Sequence, residues 1–193
     1  MPGGYREAMD KVEQAFAAVP REGFLLEGDR WRAAEDAPIP IGHGQTNSQP
    51  TTVRAMLRLL DVQLGQRVLD VGAGSGWTTG LLAHLTGPEG EVVGVELDPR
   101  LARWGAGNVA AGGWPWAHVE EAQPGVLGAP AGEPYDRILV SAGAESMPTA
   151  LLDQLADPGR LVVPVEGWMT LAVRQQGVDE VTTHGAYRFV PLR

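Results

Sequence analysis

Apolar residues recur along the chain with two different spacings. Near the N-terminus they follow helical spacing over residues 8–19, and Pro20 ends that pattern. From residue 66 onward short apolar runs alternate with helical patterns, which is typical of βαβ units and a parallel sheet covered on both faces. The predicted strands are 67–71, 91–95, 116–121, 137–140 and 161–165, with 170–174 and 187–190 as an antiparallel edge. The predicted helices between them are 76–86, 99–111 and 148–156.

Residues 27–50 show no sustained period and are rich in proline and glycine. We predict a long, ordered loop here, and a loop of this length inside a compact domain is usually functional. After it, Thr51 or Thr52 is predicted to cap a helix whose buried face includes Val53 and Leu57.

These elements predict one domain of the α/β class, with a doubly wound, mostly parallel seven-stranded sheet and an antiparallel edge strand. Residues 1–62 would form N-terminal helices and an active-site loop, and residues 63–193 a cofactor-binding α/β core. A hydrophobic content of 44% and a charged content of 20% agree with one ordinary globular core. Cysteine is absent, which excludes disulfides and cysteine-based zinc sites. Because no secretory signal and no membrane-spanning run are visible, we expect a cytoplasmic protein.

The charge balance argues against a nucleic-acid partner. Acidic side chains outnumber basic ones by 24 to 15, the net charge is −9, and Lys11 is the only lysine. A protein that binds nucleic acid usually clusters lysine and arginine to displace counterions from phosphates. No metal is predicted either, because His84, His118 and His184 do not have metal-ligand spacing with nearby acids.

Residues 68–77 contain the strongest cofactor signal. A buried strand runs into Gly72, Gly74 and Gly76, and a helix follows. Glycines at this place let backbone N–H groups and a helix N-terminus approach a ligand closely. Enzymes that bind a dinucleotide favour a third glycine one position later, where this chain has Trp77. Asp70 would also repel a pyrophosphate and attract a cationic ligand, which disfavours the alternative of a nicotinamide oxidoreductase.

Further acids follow the next two predicted strands. Glu96 ends the second strand, where a carboxylate can accept hydrogen bonds from ribose hydroxyls. Glu120 and Glu121 end the third strand, near the expected place of an adenine amino group. Acids at the ends of three consecutive strands favour a cationic nucleoside as the ligand.

The segment Pro38-Ile-Pro-Ile-Gly-His-Gly-Gln-Thr-Asn-Ser-Gln-Pro50 resembles the signature loop of the protein-L-isoaspartate O-methyltransferases, whose common form ends in Gln-Thr-Ile-Ser-x-Pro. Other matching segments occur in the same order: 19–24, 94–96, 135–138, 158–164 and 188–192. The resemblance implies a Rossmann-like methyltransferase fold with S-adenosyl-L-methionine as cofactor and S-adenosyl-L-homocysteine as product. It also implies a repair enzyme, which methylates the α-carboxylate of an L-isoaspartyl residue in a damaged peptide or unfolded protein.

The resemblance implies roles for individual residues as well. Ser48 would be the catalytic residue. Ile41, His43 and Ser48 would contact the substrate, with a purely structural hydrogen bond as the alternative role for His43. The implied cofactor-binding residues are Gln45, Thr46, Asn47, Asp70, Gly72, Ala73, Gly74, Gly76, Trp77, Glu96, Leu97, Glu121 and Ala122.

Three positions depart from the family pattern. Asn47 replaces the usual Ile, Glu120-Glu-Ala122 replaces Gly-Asp-Gly, and Ala142-Gly-Ala-Glu145 replaces Ala-Ala-Ala-Pro. Two alternatives therefore stay open, namely a relative that methylates a different carboxylate and a catalytically silent protein that binds the cofactor. We expect a monomer, although no sequence feature addresses the oligomeric state directly.

Overall fold

A computed structural model describes residues 10–193. The predicted N-terminal helix is α1 (Lys11–Ala18), and Asp10 caps it by accepting a hydrogen bond from the Val12 amide at 3.2 Å. The expected helical positions Ala8 and Met9 lie outside the described residues. Two short 3-10 helices follow, Arg21–Phe24 and Glu27–Arg32.

The predicted loop contains a small antiparallel hairpin, formed by β1 (Ile39–Gly42) and β2 (Gln45–Asn47). Strands of four and three residues are too short to show a hydrophobic period, so the sequence pattern did not indicate them. The next helix is α2 (Pro50–Leu60). The predicted cap at Thr51 or Thr52 is wrong, because the helix begins at Pro50 and its first-turn amide at Thr51 donates to the Asp36 carboxylate at 2.9 Å.

The core is a seven-stranded sheet with the order β5-β4-β3-β6-β7-β8-β9. Its strands are β3 (Arg67–Val71), β4 (Glu91–Glu96), β5 (Ala117–Glu121), β6 (Tyr135–Val140), β7 (Leu155–Val165), β8 (Trp168–Gln175) and β9 (Val178–Ala186). Helices α3 (Trp77–Thr86), α4 (Pro99–Ala111) and α5 (Thr149–Asp153) connect them. All neighbours from β5 to β7 pair in parallel, and the pairs β7–β8 and β8–β9 are antiparallel. The doubly wound fold is thereby confirmed.

The last strands differ from the prediction in detail. The antiparallel strand is β8, which lies one place in from the edge, and the edge is β9. All nine residues of β9 are exposed, so this strand carries no apolar alternation from which it could be predicted. Residues 187–190 do not form the expected strand. Instead the Gly143 amide donates to the Val190 carbonyl and the Leu192 amide to the Gly143 carbonyl, both at 2.8 Å, so this segment lies beside the loop that follows β6.

Apolar side chains form one cluster on each face of the sheet. Residues of α1, α2, α3 and α4 pack with alternate strand positions such as Val68, and residues of α5 pack with Leu69 and Val71. The predicted helix 148–156 is shortened to α5 because β7 already begins at Leu155. Within residues 10–193, no helix has the length and apolar character required to cross a membrane. The division at residue 62 stays a prediction.

Candidate active site

A cavity of about 670 Å³ lies at the carboxyl ends of β3, β4 and β6. The topology explains its place, because ligands of open α/β sheets bind where the strand order reverses, here between β3 and β6. The hairpin β1–β2 and residues 191–193 complete the wall. Twelve predicted site residues line this cavity: Ile41, Gln45, Thr46, Asn47, Ser48, Gly72, Ala73, Gly74, Trp77, Glu96, Leu97 and Ala122.

Asp70 lies at the end of β3, fully buried and outside the cavity surface. Its Oδ2 accepts hydrogen bonds from the hydroxyls of Thr78 and Thr79, both at 2.7 Å. Its Oδ1 is buried and has no hydrogen-bond partner within residues 10–193. Burial raises the pKa of Asp70 from 3.8 to about 6, the two hydroxyls oppose this rise, and the neighbouring charge of Glu96 adds to it. One buried carboxylate oxygen of Asp70 therefore has no hydrogen-bond donor among the described residues.

Glu96 anchors the glycine-rich turn to β4. Its Oε2 accepts the Gly74 amide at 2.8 Å, and its Oε1 accepts the Asp98 amide at 3.0 Å. Although the residue is only 8% exposed, it lines the cavity. Because each carboxylate oxygen has a second lone pair, Glu96 retains acceptor capacity for hydroxyl groups of a ligand.

The three glycines of the turn have two different functions. Gly72 and Gly74 line the cavity and have φ angles of +81° and +54°, which favour glycine. Gly76 does not line the cavity. A Cβ at Gly76 would lie 2.8 Å from Val109 and 2.9 Å from the carbonyl oxygen of Gly105, so this glycine permits close packing of α4. The prediction that Gly76 touches the cofactor therefore finds no support in this geometry.

The hairpin covers the turn. A Cβ built on Gly74 would meet the side chain of Ile41 at 3.2 Å. At the hairpin tip His43 adopts a left-handed conformation with φ of +54°. Its Nδ1 lies 3.1 Å from Oδ2 of Asp98, the residue that caps α4. His43 is absent from the cavity wall, so its geometry fits the structural alternative, and its substrate contact stays a prediction.

Ser48 follows β2 directly and lines the same cavity as the glycine-rich turn. Its carbonyl accepts a hydrogen bond from Arg21 at 2.9 Å. Its hydroxyl makes no hydrogen bond to any described residue of the chain. The side chain is half-buried, so an acceptor group inside the cavity can reach it.

Trp77 lines the cavity and also packs in the protein core. The indole is 3% exposed, its Nε1 donates to the Val19 carbonyl at 3.2 Å, and its ring meets Phe16 edge-on at 5.3 Å. Glu121 does not line the main cavity. It lines an adjacent cavity of about 280 Å³ together with Ala122, which borders both.

Sequence reasoning missed several parts of the wall. These are Ser75 and Thr78 of the turn and α3, residues 123–128 after β5, residues 141–148 after β6, and residues 191–193. The segments after β5 and β6 could have been predicted as part of the site, because parallel strands present their carboxyl ends to one edge of the sheet. Nothing in the pattern indicated that residues 191–193 return to this edge.

The residues present fit a cationic nucleoside cofactor. The turn presents backbone at two glycines without side chains, Glu96 offers acceptors, and Asp70 has a buried carboxylate oxygen without a partner. The large cavity is lined by two acidic side chains, Glu96 and Glu145, and one cationic side chain, Arg193. Such a site is suited to an ammonium or sulfonium group and poorly suited to a pyrophosphate.

Comparison with known proteins agrees with this chemistry. The family model described as protein-L-isoaspartate(D-aspartate) O-methyltransferase matches residues 4–193. A protein-L-isoaspartate O-methyltransferase of Methanopyrus kandleri is 41% identical over 95% of this chain and 83% of its own length. A second relative, from Marinobacter nauticus, is 43% identical over 94% of this chain and 84% of its own length.

Solved structures agree as well. One protein-L-isoaspartate O-methyltransferase superposes with a TM-score of 0.85 at 26% identity, over 95% of this chain and 61% of that longer chain. A Plasmodium falciparum protein assigned the same activity, in complex with S-adenosyl-L-homocysteine, superposes with a TM-score of 0.83 at 25% identity over 95% of this chain and 90% of that one. The family membership expected from the loop at residues 38–50 is confirmed, and this chain belongs to the protein-L-isoaspartate(D-aspartate) O-methyltransferase family.

Proposed function

We propose that this chain is an S-adenosylmethionine-dependent carboxyl O-methyltransferase that acts on the α-carboxylate of L-isoaspartyl residues in damaged peptides and unfolded proteins. The observation that supports it most is the shared cavity. The glycine-rich turn with Glu96 and the segment Gln45–Ser48 line the same cavity. Cofactor-binding groups and the candidate acceptor-binding group are thus within one enclosure.

Bound at the turn, S-adenosylmethionine would supply an electrophilic methyl group on a sulfonium sulfur. The backbone of Gly72 and Gly74 and the carboxylate of Glu96 are the groups that we assign to holding it. Asp70 would favour its positive charge through the Oδ1 atom that lacks a partner. Predicted contacts from Gln45, Thr46 and Leu97 belong to the same assignment.

The acceptor needs orientation rather than activation. A carboxylate has an ordinary pKa near 4 and is ionised at neutral pH, so no general base is required. We assign the Ser48 hydroxyl and nearby backbone N–H groups to holding this carboxylate in line with the methyl group. The side chain of Ile41 in the hairpin packs against the turn at Gly74, and we assign the hairpin to limiting the access of water to the reacting groups.

The test is methyl transfer from labelled S-adenosylmethionine to two peptides that differ only in one L-isoaspartyl or L-aspartyl residue. We expect base-labile label on the isoaspartyl peptide alone. Label on the aspartyl peptide would instead identify a relative that acts on another carboxylate. Label on neither peptide, with S-adenosylhomocysteine still bound in calorimetry, would identify a silent binding protein and contradict the proposal.

The finer expectations about partners remain proposals. We expect a monomer. We also expect no affinity for nucleic acid, because the net charge is −9 and basic residues are scattered. The cytoplasmic location likewise stays a prediction.

A further inference from the structure

Arg21 ties the active-site loop together from inside the protein. It lies in the 3-10 helix after α1 and is 5% exposed. Its guanidinium donates to the carbonyls of Glu35 at 2.9 Å, Ala37 at 2.8 Å, Asn47 at 3.1 Å and Ser48 at 2.9 Å. One side chain therefore holds the segment before the hairpin and the segment that carries Ser48.

The charge of this arginine is buried among neutral acceptors. Burial lowers the pKa of Arg21 to about 10, and the carboxylates of Asp36 and Glu35 oppose the decrease from a distance. The guanidinium therefore stays protonated at neutral pH. It also lies 5.4 Å from the ring centroid of Trp77, where a cation–π attraction contributes to holding it.

Asn47 connects this arginine to the cofactor turn. Its Oδ1 accepts from Arg21 Nε at 2.7 Å, and its Nδ2 donates to Ser75 Oγ at 3.2 Å. The orientation of the amide is determined, because arginine can only donate and so requires the oxygen. Asn47 is 4% exposed, which keeps both hydrogen bonds away from water.

Ser75 is itself fixed within the turn. It stands between Gly74, whose amide donates to Glu96, and Gly76, which packs on α4. The Ser75 carbonyl accepts from the side chain of Asn108 at 2.9 Å, and the residue is 2% exposed. A shift of the turn is thus transmitted to Asn47.

We propose that Arg21 and Asn47 are positioning residues that couple the conformation of the cofactor turn to the position of Ser48. Asn47 precedes Ser48 in the chain, and both carbonyls accept from the same guanidinium, so Asn47 cannot move without displacing Ser48. Isoleucine, the usual residue of the resembled loop at position 47, has no amide that could make these bonds. The coupling is therefore a property of this chain. Only the role of Ser48 toward the acceptor rests on the proposed function.

The main test uses Asn47→Leu, which removes both amide bonds and keeps a similar volume. Amide hydrogen exchange of residues 45–48 is measured with and without S-adenosylhomocysteine, and affinity for that ligand is measured by calorimetry. For the natural protein we expect ligand binding to slow this exchange about tenfold, and for Asn47→Leu we expect most of that protection to be lost while the ligand still binds. Unchanged ligand-dependent protection in the variant would overturn the proposal.

Ser75→Ala removes the same contact from the turn side and leaves the Arg21–Asn47 bond in place, so the proposal stays testable if Asn47→Leu fails to fold. The double variant that combines Asn47→Leu with Ser75→Ala should lose no more protection than the more affected single variant. Both substitutions remove the same hydrogen bond between residues 47 and 75. Additive losses would contradict a shared contact. Arg174→Ala is the matched control. Arg174 forms an ion pair with Asp179 between β8 and β9 and contacts none of Arg21, Asn47 and Ser75, so its loss should leave the protection unchanged.

The kinetic measurement separates positioning from general damage. We expect Asn47→Leu to lower kcat on the isoaspartyl peptide about tenfold, with little change in KM for S-adenosylmethionine. A rise in that KM alone would indicate damage to the cofactor site and would contradict the positioning role. The exchange measurement needs no acceptor, so a failure of the proposed function would remove the kinetic signal and leave the exchange result intact.

Discussion

At the scale of single residues, Asp70 combines an acidic side chain with complete burial. Two threonine hydroxyls satisfy Oδ2, and Oδ1 has no partner among residues 10–193. A buried acid without full compensation is costly for folding, so its presence suggests a ligand-binding role. Its pKa of about 6 places the change of charge within a measurable range.

The first prediction concerns the pH dependence of ligand affinity. If Asp70 favours the positive charge of the cofactor, the cofactor selects the ionised form of Asp70, so below about pH 6 binding must first remove a proton. We expect the affinity for S-adenosylmethionine, which carries the sulfonium charge, to fall about tenfold for each pH unit below that value and to level off above it. Calorimetry between about pH 5 and pH 8 measures the profile, and Asp70→Asn should flatten it. A natural-protein profile that is flat in this range would contradict the assignment.

Thr79→Val provides a matched control for that profile. The substitution keeps the shape of the side chain and removes one donor to the ionised carboxylate. Since this donor holds the pKa of Asp70 down, its loss should move the midpoint upward by roughly one pH unit.

The same group affects stability with a definite sign. The folded pKa of Asp70 is about 6 and lies above the ordinary value of 3.8, so the folded protein binds the proton more tightly than the unfolded chain does. Relative to Asp70→Asn, the free energy of unfolding should decrease by roughly 3 kcal/mol as pH rises from 3.8 to 6 and stay constant above. Denaturant titrations without ligand at several pH values measure it. Equal pH profiles for both proteins would refute this prediction.

The prediction for Ser48 separates catalysis from cofactor binding. If its hydroxyl donates to the acceptor carboxylate, Ser48→Ala should lower kcat by about 10- to 100-fold, the usual worth of a hydrogen bond to a charged group. Affinity for S-adenosylhomocysteine should be unchanged. Steady-state kinetics on the isoaspartyl peptide measure kcat, and calorimetry measures the affinity for S-adenosylhomocysteine. Full kcat in the variant would show that Ser48 only shapes the loop.

At the scale of elements, the site depends on close contact between α4 and the cofactor turn. A Cβ at Gly105 would lie 2.7 Å from the Gly74 carbonyl oxygen and 3.3 Å from the Gly76 nitrogen. Both are backbone atoms that no rotamer change can move. The small residue in α4 therefore determines how near the helix and the turn can approach.

Gly105→Ala should consequently push α4 away from the turn. We expect a loss of about 1–3 kcal/mol in the free energy of unfolding, as for other overpacked sites, and weaker binding of S-adenosylhomocysteine. Gly107→Ala in the same helix is the control. A Cβ at Gly107 meets nothing within 4 Å, so this change should stabilise the protein by about 0.5–1 kcal/mol. Equal stability of the two variants would contradict the packing argument.

At the scale of the whole molecule, the net charge of −9 acts on any charged acceptor. An acidic enzyme repels the carboxylate it is proposed to methylate, and it attracts positive charge elsewhere on the same peptide. Local donors at the site must therefore overcome an unfavourable long-range field.

This field predicts a preference among acceptors. Isoaspartyl peptides with flanking lysines should show a kcat/KM several times higher than peptides with flanking glutamates. The difference should shrink as salt is raised from about 0.02 M to 0.5 M, because screening shortens the range of the field. Kinetics of the two peptides across that salt range measure it. A preference that persists at high salt would indicate direct contacts instead.

The sequence alone determined the α/β alternation, the strands β3 to β6 within two residues, the second half of β7, and the family. In each case the signal lies in residues that are close together in the chain. Buried strands are nearly continuous apolar runs, and a turn that must place backbone near a ligand needs glycine at Gly72 and Gly74. The segment Gln45–Ser48 was identified as a site because Gln45, Thr46 and Ser48 match a known loop, from which only Asn47 departs.

Only the tertiary structure decided which distant residues meet. The approach of Arg21 to Asn47, of Asp36 to Thr51 and of residues 191–193 to the cavity depends on how α1, the hairpin and the last segment pack on the sheet. The strand β9 was invisible because backbone pairing with β8 holds it without apolar alternation. Hydrophobic period and spacing report local geometry, whereas these contacts follow from packing between segments far apart in the chain.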